Sequence, residues 1–332
     1  MATVASNGVE PAAKKLKAGT DEEELCYVTD VHSTGVLGTD RFPVNEGESK
    51  RYHLFVGKIC PFAHRAEIAR KLKGLEDVIG LTQVNSAQVE AGWRLDDTYF
   101  HSTQADQRGE PNPVAEANNV PDLYKMTTPS FSGRASIPVL FDTHSKKIVN
   151  TESAEIARFF SSDKLNHIKA CKHPELDLYP VAERAAIDDF CDKYGAEFVK
   201  PLYQSGFTKD QTRFNELNDQ VFGYLAKLDD CLGDGRTFVM GDKLTVADIH
   251  AYVHLIRFDP IYYTLYKLTH RRISDHPNIK SYIQRLWQLD GFRLTTDISA
   301  SIAGYFESWN QPNCPMLVPK GKGGLDLWLD GV

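Results

Sequence analysis

No apolar run in this chain of 332 residues approaches the roughly 18 residues that a membrane-spanning helix needs. The first residues carry no apolar stretch of the kind a secretory signal uses, so export is not expected. Glycines do not gather into a phosphate-cradling loop, and Gly233-Asp234-Gly235 reads as a turn between helices. The 6 cysteines, at positions 26, 60, 171, 191, 231 and 314, are scattered without metal-ligand spacing. No metal is therefore expected, and the pattern suits reduced thiols in a cytoplasmic protein. Positive charge is in deficit, with a net charge of -7 and no basic stripe interleaved with aromatics. Neither a nucleic acid nor a membrane is an expected partner. What remains is ordinary globular composition, 42% hydrophobic and 25% charged, ample for a sizeable core. At about 150 residues per domain, the length predicts two. No internal repeat is evident.

Within that frame the stretch Tyr52-His53-Leu54-Phe55-Val56-Gly57-Lys58-Ile59-Cys60-Pro61-Phe62-Ala63-His64-Arg65 stands out. An apolar run ends at a cysteine, a proline follows, and Phe62, Ala66, Ala69 and Leu72 recur at helical spacing. The pattern predicts a strand, a tight turn and a helix, with Cys60 at the N-cap and Pro61 at the first helical position. There the unpaired N–H groups and the positive end of the helix dipole face the sulfur and favour thiolate. His64 and Arg65 are expected to add positive charge. A dithiol centre would carry its second cysteine at position 63, where this chain has Ala63, so a disulfide formed at Cys60 must be resolved by an outside thiol such as glutathione. The competing reading is a buried cysteine serving as a small hydrophobe, although cysteine is a poor N-cap unless its charge is wanted.

Residues 134–142 and 146–156 read as strand, turn, strand, helix, with Pro138 opening the first strand through a plausible cis bond. Thr151 or Ser153 is the expected cap of a helix beginning near Glu152. Together the two stretches outline an α/β thioredoxin-like domain over 25–165, in which an extended thiol-bearing peptide pairs with the backbone beside the cis-proline. The segment 86–130, rich in Asp, Asn, Pro and aromatics, is longer than a simple connection and reads as an insertion. Its Trp93 is either a lid over the cysteine or the loop's own packing anchor.

From about residue 175 to 310 the pattern is all-helical. Val181 to Phe198, Asp210 to Leu232 and Ile279 to Leu289 are amphipathic. Leu244-Thr245-Val246-Ala247-Asp248-Ile249 has the form of a capping box with a hydrophobic staple, opening a helix that should stop before Pro260. Residues 1–24 read as a disordered tail, and 311–332 as an extended one. The run from Pro11 to Lys17 is either a nuclear-import signal or a solvated basic stretch.

Cys60-Pro61-Phe62-Ala63-His64-Arg65, Gly92-Trp93-Arg94, Ser132-Gly133-Arg134, Ile137-Pro138-Val139-Leu140, Glu152-Ser153 and Arg257-Phe258-Asp259-Pro260-Ile261-Tyr262 resemble the xi-class glutathione transferases, the glutathionyl-hydroquinone reductases. The resemblance covers about residues 50–310 and implies glutathione transferase architecture, a thioredoxin-like domain followed by an all-α one. It implies an enzyme with glutathione as co-substrate, a homodimer, and Cys60 as the nucleophile that takes glutathione from a glutathionyl-hydroquinone. Trp93, Arg134, Ile137, Pro138, Glu152 and Ser153 would hold glutathione, Arg134 meeting one carboxylate and the helix start at Glu152-Ser153 the γ-glutamyl end. Tyr203 matches the family's proton donor, and Tyr262 and Tyr305 match tyrosines whose hydroxyls point toward the sulfur and lower its pKa. The family usually has tryptophan where this chain has Phe62, and commonly two tyrosines and a histidine in the stretch around Tyr305. A general thiol transferase or dehydroascorbate reductase would use the same cysteine on other substrates, and a scaffold would use none of it. The joint presence of Cys60, Arg134, Pro138, Glu152 and Ser153 favours an enzyme.

Overall fold

The computed structural model describes residues 40–85, 92–95, 109–308, 318–321, 325 and 328–329. The expected tail 1–24, Cys26, Cys314 and most of 311–332 lie outside the described residues. Strand β1 (Tyr52–Val56), helix α1 (Pro61–Leu72) and strand β2 (Ile79–Gln83) follow one another as the apolar pattern requires. Every residue of both strands is buried, as expected for a parallel pair covered on both faces. Their register runs from Tyr52 opposite Ile79 to Val56 opposite Gln83. The expected hairpin is β3 (Val139–Asp142) with β4 (Lys147–Asn150), β3 lying antiparallel to β1. The sheet order is β2-β1-β3-β4. The bond before Pro138 is cis, and the proline precedes β3, where its missing N–H takes nothing from the ladder. Helix α3 (Ser153–Ser161) packs against α1, completing the thioredoxin-like half.

Two local expectations for this half need correction. Helix α2 (Val120–Thr127) lies inside the segment read as an insertion, started by a capping box between Asn119 and Asp122. Asn119 stands in a stretch whose polar composition reads as loop, yet Asn at the cap with Asp three residues on satisfies the first free amides of a helix. Second, α3 is capped by Glu152 rather than by Thr151 or Ser153: its Oε1 accepts from the Ala154 amide at 3.0 Å. Thr151 and Ser153 are both buried against the domain.

The helical half comprises α4 (Arg184–Tyr194), α5 (Lys200–Phe207), α6 (Gln211–Leu232), α7 (Val246–Arg257), α8 (Tyr263–Leu265), α9 (Pro277–Trp287), α10 (Asp290–Arg293) and α11 (Ile298–Ser308). Two of these segments run on past the ends the sequence suggested. Gly195–Val199 is a π-helical turn joining α4 to α5, so the segment expected to finish at Phe198 continues through Pro201 to Phe207. Phe258–Tyr262 is a second π-helical turn, carrying α7 through Pro260 instead of stopping before it. In both, an amide bonds five residues back: Lys200 to Gly195 and Tyr263 to Phe258. The wider turn relieves the clash of a proline ring with the carbonyl four residues earlier.

Helix α7 is the core of this half, with all 12 residues buried. Its start is the predicted capping box. Asp248 accepts from the Thr245 amide at 2.8 Å, the Val239 amide at 3.0 Å and the Tyr282 hydroxyl at 2.9 Å. Asp248→Ala would strand three buried donors and remove the box, so it should lower stability by at least about 2 kcal/mol in urea denaturation at unchanged m-value. Asp248→Asn, which keeps one acceptor oxygen, should cost less.

Candidate active site around Cys60

The turn Gly57-Lys58-Ile59 closes with the Cys60 amide on the Gly57 carbonyl at 2.9 Å, and the chain then enters α1. Cys60 is the N-cap, with extended backbone, and its sulfur accepts from the Ala63 amide at 3.4 Å. The thiol also reaches the carbonyl of Ile137, at 3.7 Å. The sulfur therefore stands between a helix N-terminus and the residue that precedes cis-Pro138, as the thioredoxin-like outline required. Cys60 itself is half-buried.

The electrostatics differ from the expectation that this site favours thiolate outright. Burial pushes the Cys60 thiol above its ordinary value. The amides of Ala63 and Phe62 and the guanidiniums of Arg257 and Arg65 pull it back only in part. His64 does not add the expected positive charge. It is 2% exposed, burial holds its pKa well below the ordinary value, and the ring stays neutral with Nε2 on the Thr295 hydroxyl at 2.9 Å. Arg65 keeps its charge, its guanidinium 4.9 Å from the centre of the Phe62 ring.

Tyr203, Tyr262 and Tyr305 come together from α5, the second π turn and α11. Their hydroxyls form a triangle: 3.4 Å from Tyr203 to Tyr262, 3.2 Å from Tyr203 to Tyr305 and 3.3 Å from Tyr262 to Tyr305. The sulfur's own hydrogen bonds go to backbone, so in this structure the hydroxyls bond one another rather than Cys60. Burial raises all three phenols, those of Tyr203 and Tyr305 farthest, and keeps them protonated near neutral pH. A negative charge on the Cys60 sulfur would raise Tyr262 further. Phe62, in the place of the family's tryptophan, stacks on Tyr203 with ring centres 6.1 Å apart.

Of the residues expected to hold glutathione, Ile137 is the one whose carbonyl the Cys60 thiol reaches. Trp93 is buried at 9% exposure, and its carbonyl accepts from the Val120 amide at 2.8 Å, tying this part of the insertion to the start of α2 within it. Ile137 and Ser153 are buried, Glu152 is half-buried at the start of α3, and Arg134 is exposed. Sequence reasoning treated Arg257 only as part of a family motif and passed over Lys58, Glu67, Thr295 and Ser301. These residues are buried and hydrogen-bonded around the turn that carries Cys60. Their signal was faint: polar side chains in otherwise apolar segments, far apart in the chain. No group of residues able to hold a metal ion occurs among the described residues, and no described helix is long and apolar enough to cross a membrane. With burial the largest influence on the sulfur, alkylation of Cys60 in the substrate-free protein should rise with pH to an inflection above the ordinary thiol value of about 8.5. Peptide-resolved iodoacetamide labelling measures it, and an inflection below 7 would contradict the balance of forces described.

Residues 59–163 match the family model for the glutathione S-transferase N-terminal domain, and residues 211–285 that for the C-terminal domain. The chain is 34% identical over 304 residues to glutathionyl-hydroquinone reductase YqjG of Escherichia coli, covering 92% of this chain and 87% of that protein. It is also 34% identical to glutathionyl-hydroquinone reductase PcpF of Sphingobium chlorophenolicum, over 83% of this chain and 84% of that one. Among solved structures, the Xi glutathione transferase of Phanerochaete chrysosporium superposes with a TM-score of 0.78 at 34% identity, covering 88% of this chain and 96% of that one. The glutathione-bound structure of YqjG superposes at 0.75 and 32% identity, over 86% and 89%. The N-capping thiol, the cis-proline beside it and the capped helical half thus agree with sequence and structure likeness: the chain belongs to the glutathione S-transferase family, in its Xi class.

Proposed function

We propose that the protein removes glutathione from glutathionyl-hydroquinones, yielding the hydroquinone and oxidised glutathione. One observation carries the reading: a single helix-capping thiol, Cys60, with Ala63 where a resolving cysteine would stand, close to a triangle of buried phenols. The Cys60 thiolate attacks the glutathionyl sulfur. A sulfur–sulfur bond forms as the sulfur–carbon bond breaks, and the electron pair moves to the ring carbon, which takes a proton from Tyr203. The thiolate of a second glutathione then attacks the glutathionyl sulfur of the mixed disulfide, releasing oxidised glutathione and the Cys60 thiolate. Burial keeps Tyr203 protonated, the state a proton donor needs.

Glutathione would lie along the edge made by Trp93, Arg134, Ile137, Pro138, Glu152 and Ser153. Arg134 would meet one carboxylate, and the start of α3 the γ-glutamyl carboxylate. Glu152 Oε1 is engaged by the Ala154 amide, so the ammonium would meet Oε2. Relatives named for this reductase activity support the reading. It includes a homodimer acting in the cytoplasm, which rests on the family resemblance. General thiol transfer or dehydroascorbate reduction is the second reading, since either would use the same single thiol, Cys60, with no resolving cysteine at Ala63. Turnover compared on a glutathionyl-hydroquinone, a small mixed disulfide and dehydroascorbate separates the two.

Cys60→Ser should reduce turnover of a glutathionylated hydroquinone by on the order of 10³-fold. Intact mass of the wild type mixed with the glutathionylated hydroquinone in the absence of free glutathione should show a single added glutathione. Retained turnover in the serine variant would remove the nucleophile assignment. Tyr203→Phe should slow the reaction by about 10²-fold, the range of a lost general acid, while leaving the Cys60 alkylation profile in place. Once Cys60 is a thiolate, the Tyr262 hydroxyl would leave its tyrosine partners and donate to the sulfur, so Tyr262→Phe should shift that profile upward, and an unmoved curve would sink that role.

A further inference from the structure

The most heavily buried cation near the nucleophile is Arg257, 1% exposed at the last residue of α7. Its Nη2 donates to the Lys58 carbonyl at 2.9 Å and reaches the Ser301 hydroxyl at 3.5 Å. Its Nη1 meets His64 Nδ1 at 3.1 Å and the Val253 carbonyl at 2.9 Å. Lys58 lies two residues before Cys60 and His64 one helical turn after it, so a single guanidinium from the helical half grips both sides of the nucleophile's turn. Ser301, on α11, reinforces the grip by donating to the same Lys58 carbonyl at 2.7 Å.

The charge of this group is what needs explaining. The other buried cation in the turn, Lys58, is neutralised by Glu67 at 2.7 Å, and Glu67 also accepts from Gln83 at 3.1 Å. Arg257 forms no ion pair with any described carboxylate. Its partners are two carbonyls, a neutral imidazole and a hydroxyl. Burying a guanidinium without a counter-charge is costly. Two groups become anionic in the proposed reaction, the Cys60 sulfur and the Tyr203 phenol, and it is on the sulfur that the charge of Arg257 acts.

We propose that Arg257 is a positioning residue for Cys60 that fixes the turn from the helical domain and supplies the standing positive charge for the sulfur's anionic state. Its field adds to that of the α1 amides, and both oppose the burial of the thiol. The other groups around the sulfur do not replace it. On α1, Arg65 is charged, His64 is neutral and Glu67 is paired with Lys58. On α7, burial keeps His250 and His254 neutral. In the second π turn, Asp259 is held by the amides of Ile273 and Ser274, and Tyr262 stays protonated, as does Tyr305 on α11. Where that strand of chain enters α11, Asp297 spends Oδ1 on the Ala300 amide. The role deepens the proposed reaction, on which it partly rests: the second step expels Cys60 as a thiolate, and a better-stabilised thiolate leaves faster.

Alkylation of Cys60 tests the charge without any hydroquinone, so the outcome is independent of whether that substrate is the right one. Arg257→Met and Arg257→Gln remove the charge, the glutamine keeping a donor for the Lys58 carbonyl, and Arg257→Lys keeps it. Iodoacetamide labelling of the Cys60 peptide is followed against pH, with circular dichroism to establish folding. If the methionine variant does not fold, the glutamine variant is read in its place. The neutral variants should label about tenfold more slowly below the inflection, a shift of roughly one pH unit, whereas lysine should restore most of the wild-type profile. A folded neutral variant with an unmoved profile overturns the proposal. So does a lysine variant shifted as far as the neutral ones, which would reduce Arg257 to a structural clasp.

Discussion

The Ala63 amide donating to the Cys60 sulfur is the contact on which the rest of the structure depends. It exists only if the chain leaves β1, turns through Gly57-Lys58-Ile59 and enters α1 with the sulfur over the first free amides. β1 holds that exit by pairing on both sides, with β2 in parallel and β3 antiparallel. The same pairing to β3 brings Ile137 and cis-Pro138 against the sulfur. The helical half reaches the turn itself, where Arg257 and Ser301 donate to the Lys58 carbonyl and the Thr295 carbonyl accepts from Lys58 Nζ. Neither half makes the site alone.

Opposing forces act on the sulfur, and their balance decides how it works. Desolvation disfavours the thiolate, and amides and guanidiniums favour it. A nucleophile poised in this way is guarded while the site is empty, since the neutral thiol is the poorer target for stray oxidants. The phenols are arranged by the same logic. Three hydroxyls satisfying one another avoid the cost of burial without ionising, so a proton is available at a site with little water.

Much of this was legible in the sequence because the signals were local. Cys60-Pro61 at the start of a helical period, a proline before a short apolar run, and Thr245 with Asp248 each depend on residues within four positions of one another. The capping box of α2 was equally local and was masked only by the polar composition around it. What could not be read were contacts set by the packing of distant elements. His64 looks like a positive charge in the sequence, and only its enclosure by Thr295 and Arg257 makes it neutral. The acidity of Cys60 was misjudged for the same reason, because helix-end electrostatics are local and desolvation is not. Pro260 reads as a stop, and the segment from Val181 as complete at Phe198, because the sequence carries no mark of a turn that bonds five residues back.

Those two turns have a further consequence. Tyr203 lies two residues after Pro201 and Tyr262 two residues after Pro260, each just beyond or at the end of a π-helical turn. A π turn holds one residue more than an α turn, so losing a single residue from either would return the backbone to ordinary winding and rotate everything downstream by about 100°. The tyrosine would then swing off the face it shares with its partners. The length of residues 195–199 and 258–262 is therefore held more tightly than the identity of exposed residues within them, such as Ala196 and Glu197.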